Sequence, residues 1–236
     1  MRLDNHIHSK GFVDSRNKAQ TLIKESKVKV DGEFVTKPSF KIEDDMKIEI
    51  LEEKIYVSRS AEKLKLFLET SSLDIKNLDA LDIGASTGGF TEVLLEYGAK
   101  SVTAIDVGTA QLNEKIKDDN RVTSIENMDI REFKSKPFPL IVCDVSFISL
   151  QDIISSIDTI SNGDIILLFK PQFEVGKDAK RDRNGVVKSD TDIWRSRDLF
   201  EKATFSLGWD LIRVEESKKR GKEGNIEFFY HFRKSN

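Results

Sequence analysis

Ala80-Leu81-Asp82-Ile83-Gly84-Ala85-Ser86-Thr87-Gly88-Gly89-Phe90 reads as an apolar strand, a glycine-rich turn and the start of a helix. Glycine allows tight turning and close backbone approach, which a loop needs if it is to cradle a nucleotide or amino-acid moiety. The spacing sorts the candidates. A Walker loop requires Gly-Lys-Ser/Thr, and this loop has no lysine. A dinucleotide fingerprint requires G-x-G-x-x-G, whereas this loop is G-x-x-x-G-G, so a nucleotide-dependent oxidoreductase is disfavoured.

Outward from the loop, apolar strand candidates at 78–83, 101–106, 121–125, 139–143 and 164–169 alternate with helix candidates at 89–97, 108–117, 148–160 and 191–206. Such alternation predicts a parallel sheet covered on both faces. Trp209–Val214 and Asn225–Phe232 follow without a helix between them and read as an antiparallel pair at the sheet edge. Before the first strand, Ala61, Leu64, Phe67 and Leu68 mark one face of an amphipathic helix over Ser60–Thr70. Further upstream, Ser15 is an N-cap candidate for a helix reaching Lys24, with Ala19, Leu22 and Ile23 on its apolar face. Strands at 27–30 and 33–35 flank Asp31-Gly32, a hairpin signal, and 47–51 supplies a third alternating stretch. The expected organisation is a small α+β module over 1–52, a linker over 53–59 opening on Glu52-Glu53-Lys54, and an α/β domain over 60–236.

The composition, 38% hydrophobic and 33% charged, is that of a globular chain. A net charge of −3 argues against indiscriminate nucleic-acid binding, so nucleic-acid contacts would come from local basic patches. One is the N-terminus, where residues 1–30 carry seven Lys/Arg against three Asp/Glu. The single cysteine, Cys143, excludes an internal disulfide framework and reads as buried strand packing in a reducing compartment. Nothing resembles a signal peptide or a run long enough to span a bilayer, so the expected location is the cytoplasm.

Acids recur at the ends of the strands. Asp82 opens the loop and suits a ligand with a positive amino group, as S-adenosylmethionine (SAM) has. Asp106 ends the next strand, about 20 residues past the loop, where a ribose hydroxyl would be held. Asp129 lies just past the third strand, placed to accept from an adenine amino group. Turn glycines and a helix cap would explain the loop alone. The acids tip the reading to a ligand, because ligands collect at the carboxyl edge of such sheets. With them, Gly84, Ser86, Gly88, Gly89 and Phe90 form the candidate cofactor loop.

Two more strand ends are unusual: Asp144 after Leu140–Cys143, and Lys170 after Ile165–Phe169. Glu227 falls among apolar residues of the closing strand, where an acid is costly unless paired. Lys63 borders the apolar face of the amphipathic helix. Each alone has a bland reading as a snorkelling or paired residue.

Together they carry a resemblance. Arg2-Leu3-Asp4, Ser15-Arg16 with Ala19, Val57–Leu64, Asp82–Phe90, Asp144–Ser149, Lys170-Pro171-Gln172-Phe173-Glu174, Gly185-Val186-Val187 and Asn225–Phe228 resemble the TlyA (haemolysin A) family of ribosomal RNA 2′-O-methyltransferases across almost the whole chain. The resemblance implies an S4-like RNA-binding module followed by an FtsJ-like, Rossmann-like class I SAM-dependent methyltransferase domain with a mostly parallel seven-stranded sheet. It implies SAM as cofactor, no metal, and ribosomal RNA or a ribosomal subunit as partner. The family's Lys-Asp-Lys-Glu tetrad maps onto Lys63, Asp144, Lys170 and Glu227. Lys170 would be the base, which it can be only when neutral; Asp144 and Glu227 would hold the lysines, and Lys63 would position the acceptor ribose. One departure is Ser26, where S4 domains usually carry glycine.

The S4-like face implies RNA contacts at Arg2, Arg16, Lys18 and Lys24, with Arg59 beside the methyltransferase site. Basic loops at Lys177–Lys188 and Lys218–Lys222 are further candidates. Phe147 suits either stacking on a base or core packing. The shorter family members act on the large subunit, and the nine residues after Glu227 resemble those. The rivals are a catalytically silent RNA-binding or ribosome-assembly protein and, from the family's older name, a membrane-active haemolysin.

Overall fold

The computed structural model describes residues 1–13, 15–43, 45–51 and 56–234. The chain divides into two compact units, Met1–Ile55 and Tyr56–Asn236. Glu52-Glu53-Lys54, where a linker was expected, lies outside the described residues. The second unit starts upstream of Ser60 because the residues before the helix are tied down. Tyr56 Oη donates to Glu96 at 2.7 Å, and the Val57 amide donates to Glu92 at 2.8 Å.

The first unit packs α1 (Leu3–Ser9) and α2 (Arg16–Lys24) against a sheet of β1 (Val28–Val30), β2 (Glu33–Phe34) and β3 (Ile48–Ile50) in the order β2-β1-β3. Both pairings are antiparallel. Ser15 Oγ accepts from the Lys18 amide, as its N-cap position predicts. Asp31 and Gly32 both have positive φ, 51° and 86°, the turn the Asp-Gly pair signals. The sequence reading missed α1. Its signal is one i, i+4 pair, Leu3 and Ile7, both fully buried. Ser26, at φ 58°, takes the left-handed backbone that explains the usual glycine.

The second unit holds α3 (Arg59–Leu68), β4 (Asp79–Ile83), α4 (Gly89–Glu96), β5 (Ser101–Ile105), α5 (Glu114–Lys117), β6 (Val122–Ile125) and β7 (Phe138–Cys143). It continues with α6 (Ile154–Thr159), β8 (Ser161–Phe169), α7 (Pro171–Glu174), α8 (Asp190–Ser206), β9 (Trp209–Glu216) and β10 (Phe228–Lys234). The sheet order is β6-β5-β4-β7-β8-β10-β9. Strands β4 to β8 pair in parallel, and β10 is antiparallel to both β8 and β9. One face is covered by α3 and α4 through Leu64, Phe67, Phe90 and Leu94; the other carries Ile154 and Ile157 of α6 and Phe200 of α8. This is the expected α/β fold with a mostly parallel seven-stranded sheet, preceded in the chain by a small α+β unit.

Three expected elements differ. The helix expected over 108–117 shrinks to Glu114–Lys117, because the preceding amides of Gly108 and Ala110 are bonded to Asp106 and Glu126 and Asn113 caps a later start. The helix expected over 148–160 is broken into a 3-10 turn, Leu150–Asp152, and α6. The last strand begins at Phe228, so Glu227 sits just before it rather than inside it. There the Asn225 and Glu227 carbonyls accept from Gly221 and Ser217 of the preceding loop.

Candidate active site

The turn after β4 runs out at the carboxyl edge of the sheet. Gly84 has φ 78°, and a Cβ there would lie 2.9 Å from the Asp144 carbonyl oxygen, so only glycine lets β4 and the β7 end approach this closely. Gly89, opening α4, is packed from the other side: a Cβ there would lie 2.0 Å from Ser58 Oγ. Asp106 organises the turn, accepting from the Ser86 amide at 2.8 Å and the Gly108 amide at 2.7 Å.

A cavity of about 1030 Å³ opens in front of this turn. Gly84, Ala85, Ser86, Thr87 and Phe90 line it on the loop side, and Lys63, Asp144, Lys170 and Glu227 line it as well. The four ionisable groups come from four separate places in the chain, α3, the β7 end, the β8 end and the approach to β10, and form two pairs. Lys63 Nζ donates to Glu227 Oε2 at 2.6 Å, with side chains 11% and 3% exposed. Lys170 Nζ lies 2.6 Å from Asp144 Oδ1, with side chains 9% and 13% exposed, and donates to Ser146 Oγ at 2.9 Å. Pairing is what makes such burial tolerable, since removing one partner leaves a desolvated charge. Ser146 had no signal in the sequence beyond its place in the Asp144–Ser149 motif.

The cofactor candidates divide. Gly84, Ser86 and Phe90 line the large cavity, while Gly88 and Gly89 shape the helix start behind it. Asp106 lines a small adjoining cavity with Ala85, Ser86, Gly108, Gln111 and Glu126; Ala85 and Ser86 border both. Asp82 faces neither. It is wholly buried, Thr91 Oγ1 donates to its Oδ2 at 2.6 Å, and burial pushes its carboxyl up to about 7. It lies beneath the loop, behind the residues that line the cavity, and no ligand contact of the kind expected from the sequence is described for it. Asp129 is held bidentate by Arg131 and is not among the residues lining either cavity. The acid at that edge is Glu126, directly after β6, which the sequence reading passed over.

Phe147 does not pack in the core. It is 92% exposed at φ 67°, borders the large cavity, and its ring sits 5.3 Å from that of Phe173. Cys143 is fully buried, and desolvation pushes its thiol upward, consistent with packing. Arg59, Lys219, Arg220 and Lys222 form a basic rim on the large cavity. Arg181 is spent internally, donating to the carbonyls of Gln172, Gly176 and Ala179.

In the first unit, Arg2 and Arg16 converge on Asp4, which is fully buried and also accepts from Gln20 at 2.8 Å. The Arg2 guanidinium holds the Asp4 carboxyl well below the usual range. Both arginines are thus partly structural, with about half of each side chain exposed at 44% and 46%. Lys18 and Lys24 make no ion pair among the described residues.

The sheet order and the division into two units agree with the comparisons. The FtsJ-like methyltransferase family matches residues 56–234, and the S4 domain family matches residues 1–48. The 23S rRNA (cytidine-2′-O)-methyltransferase TlyA of Campylobacter jejuni is 45% identical over 256 aligned residues, covering the whole of both chains. The chain belongs to the TlyA family. The 16S/23S rRNA (cytidine-2′-O)-methyltransferase TlyA of Mycobacterium tuberculosis is 36% identical over 98% of this chain and 89% of its own. A solved structure from Streptococcus thermophilus, provisionally described as a hemolysin, matches all of this chain and 89% of its own, with TM-score 0.73 and 34% identity. No helix among the described residues is long and apolar enough to cross a membrane.

Proposed function

We propose that this chain transfers a methyl group from SAM to the 2′-hydroxyl of a cytidine in ribosomal RNA, with the large subunit the favoured target, and that it works in the cytoplasm. The observation that carries the reading is the meeting of two buried lysine–carboxylate pairs with the glycine turn in one cavity. The residues present fit SAM. Gly84, Ala85, Ser86 and Thr87 border the cavity, the absence of a side chain at Gly84 lets the turn sit against the Asp144 carbonyl at the β7 end, and Asp106 and Glu126 border the adjoining space where a nucleoside end would lie. Ser86 and Gly84 would hold the amino-acid end and Asp106 the ribose. When bound, SAM supplies an electrophilic methyl carbon.

The chain's own residues supply orientation and proton transfer. A ribose hydroxyl is a weak nucleophile, and placing it in line does much of the work. Lys170 Nζ, in its neutral form, takes the hydroxyl proton, and Asp144 at 2.6 Å balances the ammonium that forms. Ser146 fixes the direction of Lys170. Glu227 holds Lys63 where it can donate to the acceptor ribose. Phe147, exposed on the cavity border, offers a face for stacking an unstacked base. The S4 unit grips RNA through Lys18 and Lys24 and the free donors of Arg2 and Arg16, and Arg59 meets phosphate at the cavity mouth.

The test is Lys170→Ala. Turnover should fall by about 10²–10⁴ fold. SAM affinity measured by calorimetry should stay within about twofold, because the glycine turn is untouched; lost SAM binding would mean Lys170 has been given the wrong role.

A further inference from the structure

Gln172, on α7 two residues beyond Lys170, lines the large cavity with an amide that has no hydrogen-bond partner among the described residues. Its Oε1 is buried and unpartnered, while its main chain is held in place by Arg181, whose Nη2 donates to the Gln172 carbonyl at 3.2 Å. A buried acceptor left alone costs about 1–3 kcal/mol, so few are tolerated. Two others have charged neighbours, Asp144 with Lys170 and Glu126 with Lys117, and Asp82 and Ser161 line neither cavity. Gln172 therefore stands apart: an unsatisfied acceptor in the wall that also carries the reacting groups. The terminal torsion of glutamine is broad and roughly two-fold, so the amide can swing its oxygen into the cavity without moving the backbone.

We propose that Gln172 is a specificity-determining residue that accepts a hydrogen bond from the exocyclic amino group of the target base, and so favours cytosine over uracil. The inference rests on the methyltransferase reading above. What Gln172 Oε1 lacks is a donor. The 4-position of cytosine carries an amino group, and that of uracil carries an acceptor. Phe147 and Phe173, whose rings meet at the same cavity, supply a stacking face for the ring of that base.

The experiment uses the full-length chain and an RNA spanning the methylated nucleotide, synthesised with either cytidine or pyrimidin-2-one riboside, which lacks the amino group, at the target. The natural chain should prefer cytidine by roughly tenfold in kcat/KM, the net worth of one hydrogen bond. In Gln172→Leu the two RNAs should react within about twofold of each other, and Gln172→Glu, which keeps an acceptor, should restore the preference. Unchanged discrimination in Gln172→Leu, its loss in an active Gln172→Glu, or a mapped target without an exocyclic amine would overturn the proposal. Absence of transfer by the natural chain to any RNA would instead overturn the methyltransferase reading itself.

Discussion

Replacing Asp82 by Asn should alter how stability depends on pH, by an amount set by the burial of one carboxyl. Thr91 donates to one Asp82 oxygen at 2.6 Å; the other has no partner among the described residues. Desolvation, with repulsion from Asp144 and Asp106 added, pushes the carboxyl from 3.8 up to about 7. In the unfolded chain it ionises near ~3.9. Between the two values the folded state keeps a proton that the unfolded state has released. Asp82 therefore costs nothing below the unfolded value, and stability is lost as pH rises towards about 7. Three units at about 1.4 kcal/mol each put the loss at about 4 kcal/mol. Asn keeps an acceptor for Thr91 and carries no titrating proton. The stability difference between Asp82→Asn and the natural chain should be flat in acid, then grow by about 1.4 kcal/mol per pH unit, and level off near neutrality. Urea titrations followed by tryptophan fluorescence measure this cleanly, because both tryptophans, Trp194 and Trp209, lie in the Tyr56–Asn236 unit. Parallel stability–pH curves for the two proteins would show that Asp82 does not hold its proton in the folded state.

Ser26→Gly should stabilise the first unit by about 0.5–1 kcal/mol, since the side chain is removed from a left-handed position; hydrogen exchange of the β1 and β3 amides reads it. Lys24→Glu should weaken binding to ribosomal RNA and lower the slope of log affinity against log salt by about 1, with turnover on saturating RNA preserved. Lys24 serves better here than Arg16, whose loss would also strip a partner from buried Asp4. Gly89→Ala should destabilise the second unit by about 1–3 kcal/mol, because its Cβ would fall 2.0 Å from Ser58 Oγ and 2.5 Å from Ser60 Oγ. Urea titration reads that too.

The fold was legible where period and punctuation agree. The apolar runs leading to Gly84, Asp144 and Lys170 announce parallel strands, and Asp31-Gly32 announces a hairpin. Legibility failed where a boundary is set by tertiary hydrogen bonds: 108–113 stays a loop because Asp106 and Glu126 take its amides, and no local pattern encodes that. Ser161–Gly163 is too polar to read as strand, yet β8 begins there in register with Phe138. At the site, motif position carried Lys63, Asp144, Lys170 and Glu227 to one cavity from distant parts of the chain. Side-chain direction is another matter. Asp82 lies near the end of β4 and Asp129 just past β6 as expected, but Thr91 and Arg131 claim them, and Glu126 lines the adjoining cavity. The double duty of Arg2 and Arg16 was hidden for the same reason, since nothing local marks Asp4 as buried.

The central claim is most directly tested by supplying the purified chain with methyl-labelled SAM and unmodified large and small ribosomal subunits, then mapping 2′-O-methylation on the product RNA. One cytidine ribose mark is expected, on large-subunit RNA, and none with Lys170→Ala. Label on a base, on protein, or on no ribosomal component despite demonstrable SAM binding would contradict it.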